Sequence, residues 1–385
     1  MSDKRLIAWI SDRDEPKVFG FEPKARLTKV LNRLDVMVAG TEADLQSDDD
    51  ILIFNADYVY EPAFVDHLIH NEQGTIRAND QSNSALVFAR TNKAGFEQSL
   101  KRLSGSLEGD QDEKSLDQIG PIYHGTLRKR QFNLVYSLDD MPVRHIEWSL
   151  YEGAYKGVTD FFTKHVWPLP AFWLTKLANG LGLSPNMVTS ISFLLTIYAT
   201  YAFYWGDWAV GLMAAWGMCI LDTVDGKLAR VTMTSSKWGN AFDHGIDLVH
   251  PPFWYAAWGM GLIHQAGGEA ALAIDMWSHL AVIVVGYVVG RLCEGIFMLV
   301  ADGQDMWTWR KFDSLFRLWV SRRNPNLFLL TVSVFLMQPE LGFLAVSYWT
   351  IASVIYQVVR IAQALIWRLQ KRPFISWMTD QAGDQ

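Results

Sequence analysis

The stretch LDTVDGKLARVTMTSSKWGNAFDHGID, Leu221 to Asp247, sets four aspartates at the edges of two long apolar segments. Asp222 and Asp225 are three residues apart and Asp243 and Asp247 four apart, so on helical flanks each pair projects from one helix face. Two such pairs facing each other would hold divalent cations, because Mg²⁺ and Mn²⁺ prefer hard oxygen ligands and bridge carboxylates to substrate phosphates. A diphosphate is the substrate class this chemistry expects. Gly226 and Ala229 follow on the same face, where missing bulk lets a flat ring or a backbone come close, and Arg230 adds a fixed cation. The competing reading is a polar turn between membrane helices. Against it, an aspartate at the centre of a membrane span costs about 2.5 to 3.5 kcal/mol, and such residues are usually functional.

These residues resemble the signature of the CDP-alcohol phosphotransferase family, D-x-x-D-G-x-x-A-R, then a glycine, then D-x-x-x-D. Asp222, Asp225, Gly226, Ala229, Arg230, Gly239, Asp243 and Asp247 fill every fixed position. The resemblance covers about Tyr155 to Arg372 and implies a six-helix membrane enzyme that transfers a phospho-group from a CDP-linked donor to an alcohol and releases CMP. It further implies two Mg²⁺ or Mn²⁺ ions on Asp222, Asp225, Asp243 and Asp247, with Asp247 also the base. CDP contacts are implied at Asp225, Gly226, Ala229, Arg230, Gly239 and Asn186, as is a homodimer.

The composition divides the chain. Of 385 residues 50% are hydrophobic, at the top of the globular range. Charge is dense before about Arg144 and sparse inside the segments after Asn186, so a soluble part precedes a membrane part. The net charge of -7 lies mostly in the front part and argues against a nucleic-acid partner. Cys219 and Cys293 both sit in apolar segments, which implies neither a disulfide framework nor a thiolate metal site. The opening MSDKRLIAWISDRDEPK has an apolar run too short for a signal peptide, so the front part is expected in the cytoplasm. The expected domains are 1–145, an α/β layer; 146–184, an interfacial segment; 185–372, the six-span domain; and 373–385, a cytosolic tail.

In the front part, LIAWI near Leu6, LDVMVAG near Leu34, ILIFNADYVY from Ile51 and SALVFAR from Ser84 read as strands between helical stretches. The run through Asn55, Ala56 and Asp57 resembles the strand-end aspartate of sugar-nucleotide nucleotidyltransferases, which holds a metal in that family. The glycine-rich phosphate loop of those enzymes is missing: ISDRDEPKVFGFEPKAR contains only Gly20. A degenerate, inactive domain is the expectation. Glu108 to Glu113 reads as solvated loop.

From Tyr151, Phe161, Phe162, Val166, Trp167, Phe172, Trp173 and Leu177 mix with Lys164, His165 and Lys176, as in a helix lying in the membrane interface. Pro168 and Pro170 break it, and Pro185 in SPNMVT starts the first span. YKGVTD resembles the lead-in of family members that use inositol-type substrates; Lys156 and Asp160 there read either as substrate contacts or as solvated interfacial residues.

Expected spans run near Met187–Tyr204, Trp208–Leu221, Ala241–Ile263, Trp277–Val300, Leu327–Met337 and Leu341–Trp367, the fifth being short. Lys and Arg occupy the second and fourth connections and the tail, placing both termini and the aspartates on the cytoplasmic side of the inner membrane. Trp205, Trp208, Trp277 and Trp367 serve as interface anchors. Arg291, Glu294 and Arg360 are ionisable residues within spans and therefore functional candidates, although Arg291 and Glu294 also suit a simple ion pair. Lys237, Arg291, Arg322 and Arg323 are phosphate or acceptor candidates, against a topology-setting role for the last two. His244 and His250 read as packing or outer-sphere residues.

Two other classes compete: a membrane prenyltransferase, which has no use for the DG-x-x-AR spacing, and a cation transporter, which needs its aspartates near the midplane. Within the phosphotransferase reading the donor is either CDP-diacylglycerol, favoured here and implying phospholipid synthesis, or a CDP-polyol such as CDP-inositol.

Overall fold

The computed structural model describes residues 4–72, 74–78, 86–104, 113–125, 127–132 and 134–380. The chain forms two compact units: residues up to Ala154 with Val231–Met233, and Tyr155–Arg230 with Thr234 onward.

The first unit is α/β. Its elements are β1 (Leu6–Ile10), α1 (Pro23–Arg33), β2 (Met37–Val38), β3 (Asp50–Phe54), β4 (Tyr58–Tyr60), α2 (Pro62–Asn71), β5 (Thr75–Arg77), β6 (Leu86–Thr91), α3 (Lys93–Leu103) and β7 (Lys114–Ser115). The short helix α4 (Leu116–Ile119), β8 (Ile122–His124), β9 (Lys129–Gln131), β10 (Val135–Ser137) and α5 (Val143–Gly153) complete it. The main sheet has the order β2-β1-β3-β6-β5-β7 and is mixed: β1 pairs in parallel with β2 and β3, whereas β3 and β5 both pair antiparallel with β6. Both faces of β3 are covered, which is why ILIF is apolar throughout instead of alternating. Leu52 and Phe54 pack with Leu27, Leu31 and Phe64, and Ile51 and Ile53 with Ile7, Leu86 and Phe96.

Three readings of this part need correction. LDVMVAG yields only a two-residue strand at the edge of the sheet, with Met37 57% exposed on the face opposite α1, while Val38 packs on the α1 side. ILIFNADYVY is two strands, because Asn55 to Asp57 form a turn and β4 leaves to pair with β10. Glu108–Asp112 lie outside the described residues, but Glu113 is not solvated: it is paired with Arg77 and its side chain is 6% exposed. SALVFAR gives β6, its Ser84 and Ala85 lying outside the described residues.

The second unit is helical. After a π-helical turn, Phe162–Val166, come α6 (Pro168–Gly180), α7 (Pro185–Trp205), α8 (Trp208–Val231), α9 (Lys237–Ala266) and α10 (Met276–Val300). Two short helices, α11 (Met306–Trp309) and α12 (Lys311–Phe316), lead to α13 (Arg323–Phe335) and α14 (Pro339–Leu369). The ends are chemically specified. Ser184 caps α7 by accepting from the Met187 amide, with Pro185 at the first helical position, and Gly206 closes the helix at φ 80°. Ser236 and Asp275 cap α9 and α10 in the same way.

Helices occupy all six expected span positions, but among the described residues only α7, α8, α10 and α14 are long and apolar enough to cross a membrane. The protein is membrane-embedded on that composition. α9 carries its charged residues in the first half and Pro251 and Pro252 in its interior, and α13, at 13 residues, spans only about 20 Å at 1.5 Å per residue. α6 leaves Leu169, Trp173 and Leu177 uncovered, spaced by four along one face.

Close approach brings the helices to the site. A Cβ on Gly261 of α9 would lie 2.1 Å from the Phe203 carbonyl of α7, so only glycine permits this crossing.

Candidate active site

Asp222 and Asp225 lie on the last turns of α8, and Asp243 and Asp247 on the first turns of α9, so the Ser236 cap sets the register that turns the second pair toward the first. Carboxylate oxygens of Asp222, Asp243 and Asp247 all lie within 4.8 Å of one another. Like charges at that separation repel unless a cation joins them.

One cation is supplied by the chain. Arg323, at the start of α13, places Nη2 2.6 Å from Asp222 Oδ2 and directs Nη1 to Asp247 Oδ1. Three carboxylates against one guanidinium still leave net negative charge. The donor set is all hard oxygen, which fits Mg²⁺ or Mn²⁺ and not a thiolate-seeking metal.

Asp225 stands apart from these three. It is 3% exposed, and its Oδ2 accepts a hydrogen bond from Thr189 Oγ1 at 2.5 Å, while Oδ1 is buried with no hydrogen-bond partner among the described residues. An orphaned buried carboxylate oxygen is costly and suits a site that takes a cation or donor group. Thr189 was missed in the sequence; its one signal is its place three residues after Asn186 on the same face of α7.

The other motif residues make a small-residue cradle. A Cβ on Gly239 would sit 2.6 Å from Asn186 Oδ1, so α7 and the start of α9 touch only because Gly239 has no side chain. Gly226 leaves room beside Arg230, whose Nη2 would be 3.1 Å from an added Cβ. Ala229 lies one turn beyond Asp225 on α8. Lys237 is exposed in the first turn of α9, beside Trp238 at 73% exposure. His244 lies 3.5 Å from Asp243, whereas His250 is buried, bonded to the Ile246 carbonyl at 2.7 Å and packed on Trp254.

A second cluster adjoins the first. Glu294 on α10 accepts from Arg322 and from Trp307 Nε1 at 3.1 Å, with Arg291 at 3.8 Å. Arg291, Glu294 and Arg322 line a pocket with Tyr287, whose hydroxyl donates to the Leu248 carbonyl at 2.9 Å, next to Asp247. Arg291 therefore does pair with Glu294, but at the longer distance and in competition with Arg322. Arg360 is not in this pocket. It pairs at 2.6 Å with the fully buried Asp313, which Tyr356 also contacts.

Asp160 is not a solvated interfacial residue. It is 8% exposed and accepts from the Thr163 amide, the Thr163 hydroxyl and Asn324 Nδ2 at 3.0, 2.7 and 2.9 Å. Burial pushes its pKa up, but the Arg317 charge and these bonds outweigh that and hold it below the ordinary value. Lys156 is exposed.

Residues 182–356 match the CDP-alcohol phosphatidyltransferase family. That family uses a CDP-linked donor and an alcohol acceptor and is divalent-metal dependent. Archaetidylinositol phosphate synthase of Pyrococcus horikoshii is 42% identical over 73 residues, 19% of this chain and 38% of that protein. Phosphatidylinositol phosphate synthase of Streptomyces avermitilis is 28% identical over 139 residues, 34% of this chain and 52% of that one. A CDP-alcohol phosphatidyltransferase class-I family protein of Schizosaccharomyces pombe is 32% identical over 102 residues, 22% and 26% of the two chains. The matched stretches span about half or less of each curated relative.

Proposed function

Because residues 182–356 form a domain of the CDP-alcohol phosphatidyltransferase family, we propose that this chain is a membrane phosphotransferase joining a CDP-linked donor to a polyol phosphate acceptor, with release of CMP. The observation that carries this reading is the arginine pocket beside Asp247. Two guanidiniums sharing one carboxylate leave positive charge for an acceptor phosphate, and arginine forks bind phosphate bidentately.

In this reading Asp222, Asp243 and Asp247, with Asp225 one turn away, hold Mg²⁺ or Mn²⁺. Bound there, two such ions would supply charge neutralisation of the donor diphosphate and its CMP leaving group. The Asn186–Gly239 contact, Gly226 and Ala229 keep side chains clear of the nucleotide, and Arg230 offers it a cation. Asp247 takes the proton of the acceptor hydroxyl as that oxygen bonds to the donor's β-phosphorus. The bond from that phosphorus to the CMP oxygen breaks, and CMP leaves with the electron pair.

The favoured donor is CDP-diacylglycerol or a similar CDP-lipid, with an inositol-type phosphate as acceptor; the names of the two synthases support a lipid-linked inositol phosphate product. A CDP-inositol donor is the second reading. The inositol in those same names and the α/β unit at the front of this chain support it. We read the front unit as inactive in nucleotidyl transfer, since it has a single glycine in the phosphate-loop position and Arg13 spans Asp57 and Asp139 at 2.7 Å each. Six spans with both termini cytoplasmic complete the proposal, and a reporter after Gln385 tests that orientation.

The deciding experiment incubates purified full-length protein and Mn²⁺ with CDP-diacylglycerol plus inositol 1-phosphate, or with CDP-inositol plus polyol and lipid phosphates. Products are identified by mass spectrometry. CMP release with one donor selects the reading; none with any donor rejects the transferase.

A further inference from the structure

The pocket between α10 and α14 contains one polar group that neither the family motif nor the arginines explain. Gln357 on α14 is 3% exposed, and its Oε1 is buried without a hydrogen-bond partner among the described residues. Its neighbours in the pocket wall are already engaged. The Ser321 hydroxyl bonds Asn326 at 3.0 Å and Thr350 at 2.8 Å, and Ser353 Oγ accepts from the Ser321 amide at 2.9 Å. The space around the amide is specified too: an added Cβ on Gly290 of α10 would stand 3.2 Å from Gln357 Oε1. Leaving a buried amide oxygen unpaired costs free energy, so a helix pair that makes room for one and then leaves it unbonded suits a ligand that donates to it.

We infer that Gln357 is a specificity-determining residue that accepts a hydrogen bond from a ring hydroxyl of a cyclic polyol acceptor, while Arg291 and Arg322 take its phosphate. Charge decides the type of donor. The pocket holds two guanidiniums and one carboxylate, so an ammonium-bearing acceptor would be repelled, whereas a neutral hydroxyl satisfies the amide without adding charge. A pocket that hydrogen-bonds a substrate hydroxyl also rejects analogues lacking it, because the protein's own buried polar group is then left unpaired. The inference rests on the reading of this pocket as the acceptor site.

The test uses full-length Gln357→Leu, which keeps volume and removes the amide. Against wild type, the KM for inositol 1-phosphate should rise about 10-fold or more, consistent with loss of one buried hydrogen bond. The KM for the CDP donor and kcat should stay within about 2-fold, and the KM for glycerol 3-phosphate should change far less. Titration calorimetry without donor should give the same weakening for inositol 1-phosphate. That arm separates the two claims: if wild type binds inositol 1-phosphate but never releases CMP, the transferase reading fails, and weaker binding by Gln357→Leu still supports Gln357. Wild type that binds no polyol phosphate overturns the inference. So does equal loss for both acceptors, or no change for either. If Gln357→Leu does not elute as a folded species, Gly290→Ala, which presses on the amide oxygen, replaces it and should raise the inositol 1-phosphate KM in the same selective way.

Discussion

Arg323 Nη2 lies 2.6 Å from Asp222 Oδ2, joining the start of α13 to the end of α8 across 101 residues of sequence. The other arm of the same guanidinium reaches Asp247 on α9, so one side chain ties together three of the helices that build the site. Its side chain is 15% exposed, and that of Asp222 is 17% exposed. At that burial the pair holds each partner's charge in place, and removing either leaves an uncompensated charge.

Arg323→Gln is therefore expected to destabilise the metal-free protein by about 3 kcal/mol, the scale for breaking a buried ion pair from one side. Mn²⁺ should recover more of that loss in the variant than it adds to wild type, because the freed carboxylates then compete for the ion alone. Melting curves with chelator and with Mn²⁺ check this. An unchanged gap between the two conditions would separate Arg323 from the carboxylate cluster.

Asp247→Asn should retain measurable CDP-donor binding and lose turnover by about 10² to 10⁴, the range for removing a general base. Asp222→Asn should weaken Mn²⁺-dependent donor binding as well. Near wild-type turnover by Asp247→Asn at saturating metal and donor would take the base role away from that residue.

Arg322 shares Glu294 with Arg291 in the pocket proposed to take the acceptor. Arg322→Gln should raise the acceptor KM by about 10-fold or more while lowering kcat less, as expected for a binding contact kept throughout the reaction. Small and equal effects on both constants would return Arg322 to a topology-setting role.

Glu61 in the front unit gives a pH prediction. Burial raises its pKa from 4.5 to about 7, against the lowering influence of Lys129, Arg26 and the Tyr136 hydroxyl. The folded state thus binds a proton that the unfolded state releases between pH 4.5 and about 7. This contribution is fully present below pH 4.5 and is lost as pH rises through about 7. The front unit should lose on the order of 3 kcal/mol of stability from this group across that window. Hydrogen exchange of Pro62–Asn71 in the full-length protein, corrected for intrinsic rates at pH 5 and 8, should show the loss, and Glu61→Gln should remove it. A slope that survives in Glu61→Gln assigns it to another group.

The sequence by itself determined most of the elements and the family. Apolar spacing and helix caps such as Ser184–Pro185 and Gly206 are local, so the six helix positions and the faces carrying Asp222, Asp225, Asp243 and Asp247 were readable, as was the family signature. Only the tertiary structure decided which distant groups meet those faces, because periodicity tells that a face is shared but not what crosses it. Arg323 was one of several arginines until α13 put it on two aspartates, and Thr189 was an ordinary helix residue until α7 packed it on Asp225. Burial is settled in the same way. Asp160 read as either a substrate contact or a solvated interfacial residue, yet Thr163 and Asn324 enclose it, and Gln357 became an orphaned acceptor only when α14 packed against the open backbone at Gly290. The energy of a polar group depends on its partners in space, and for these residues the partners lie on other helices.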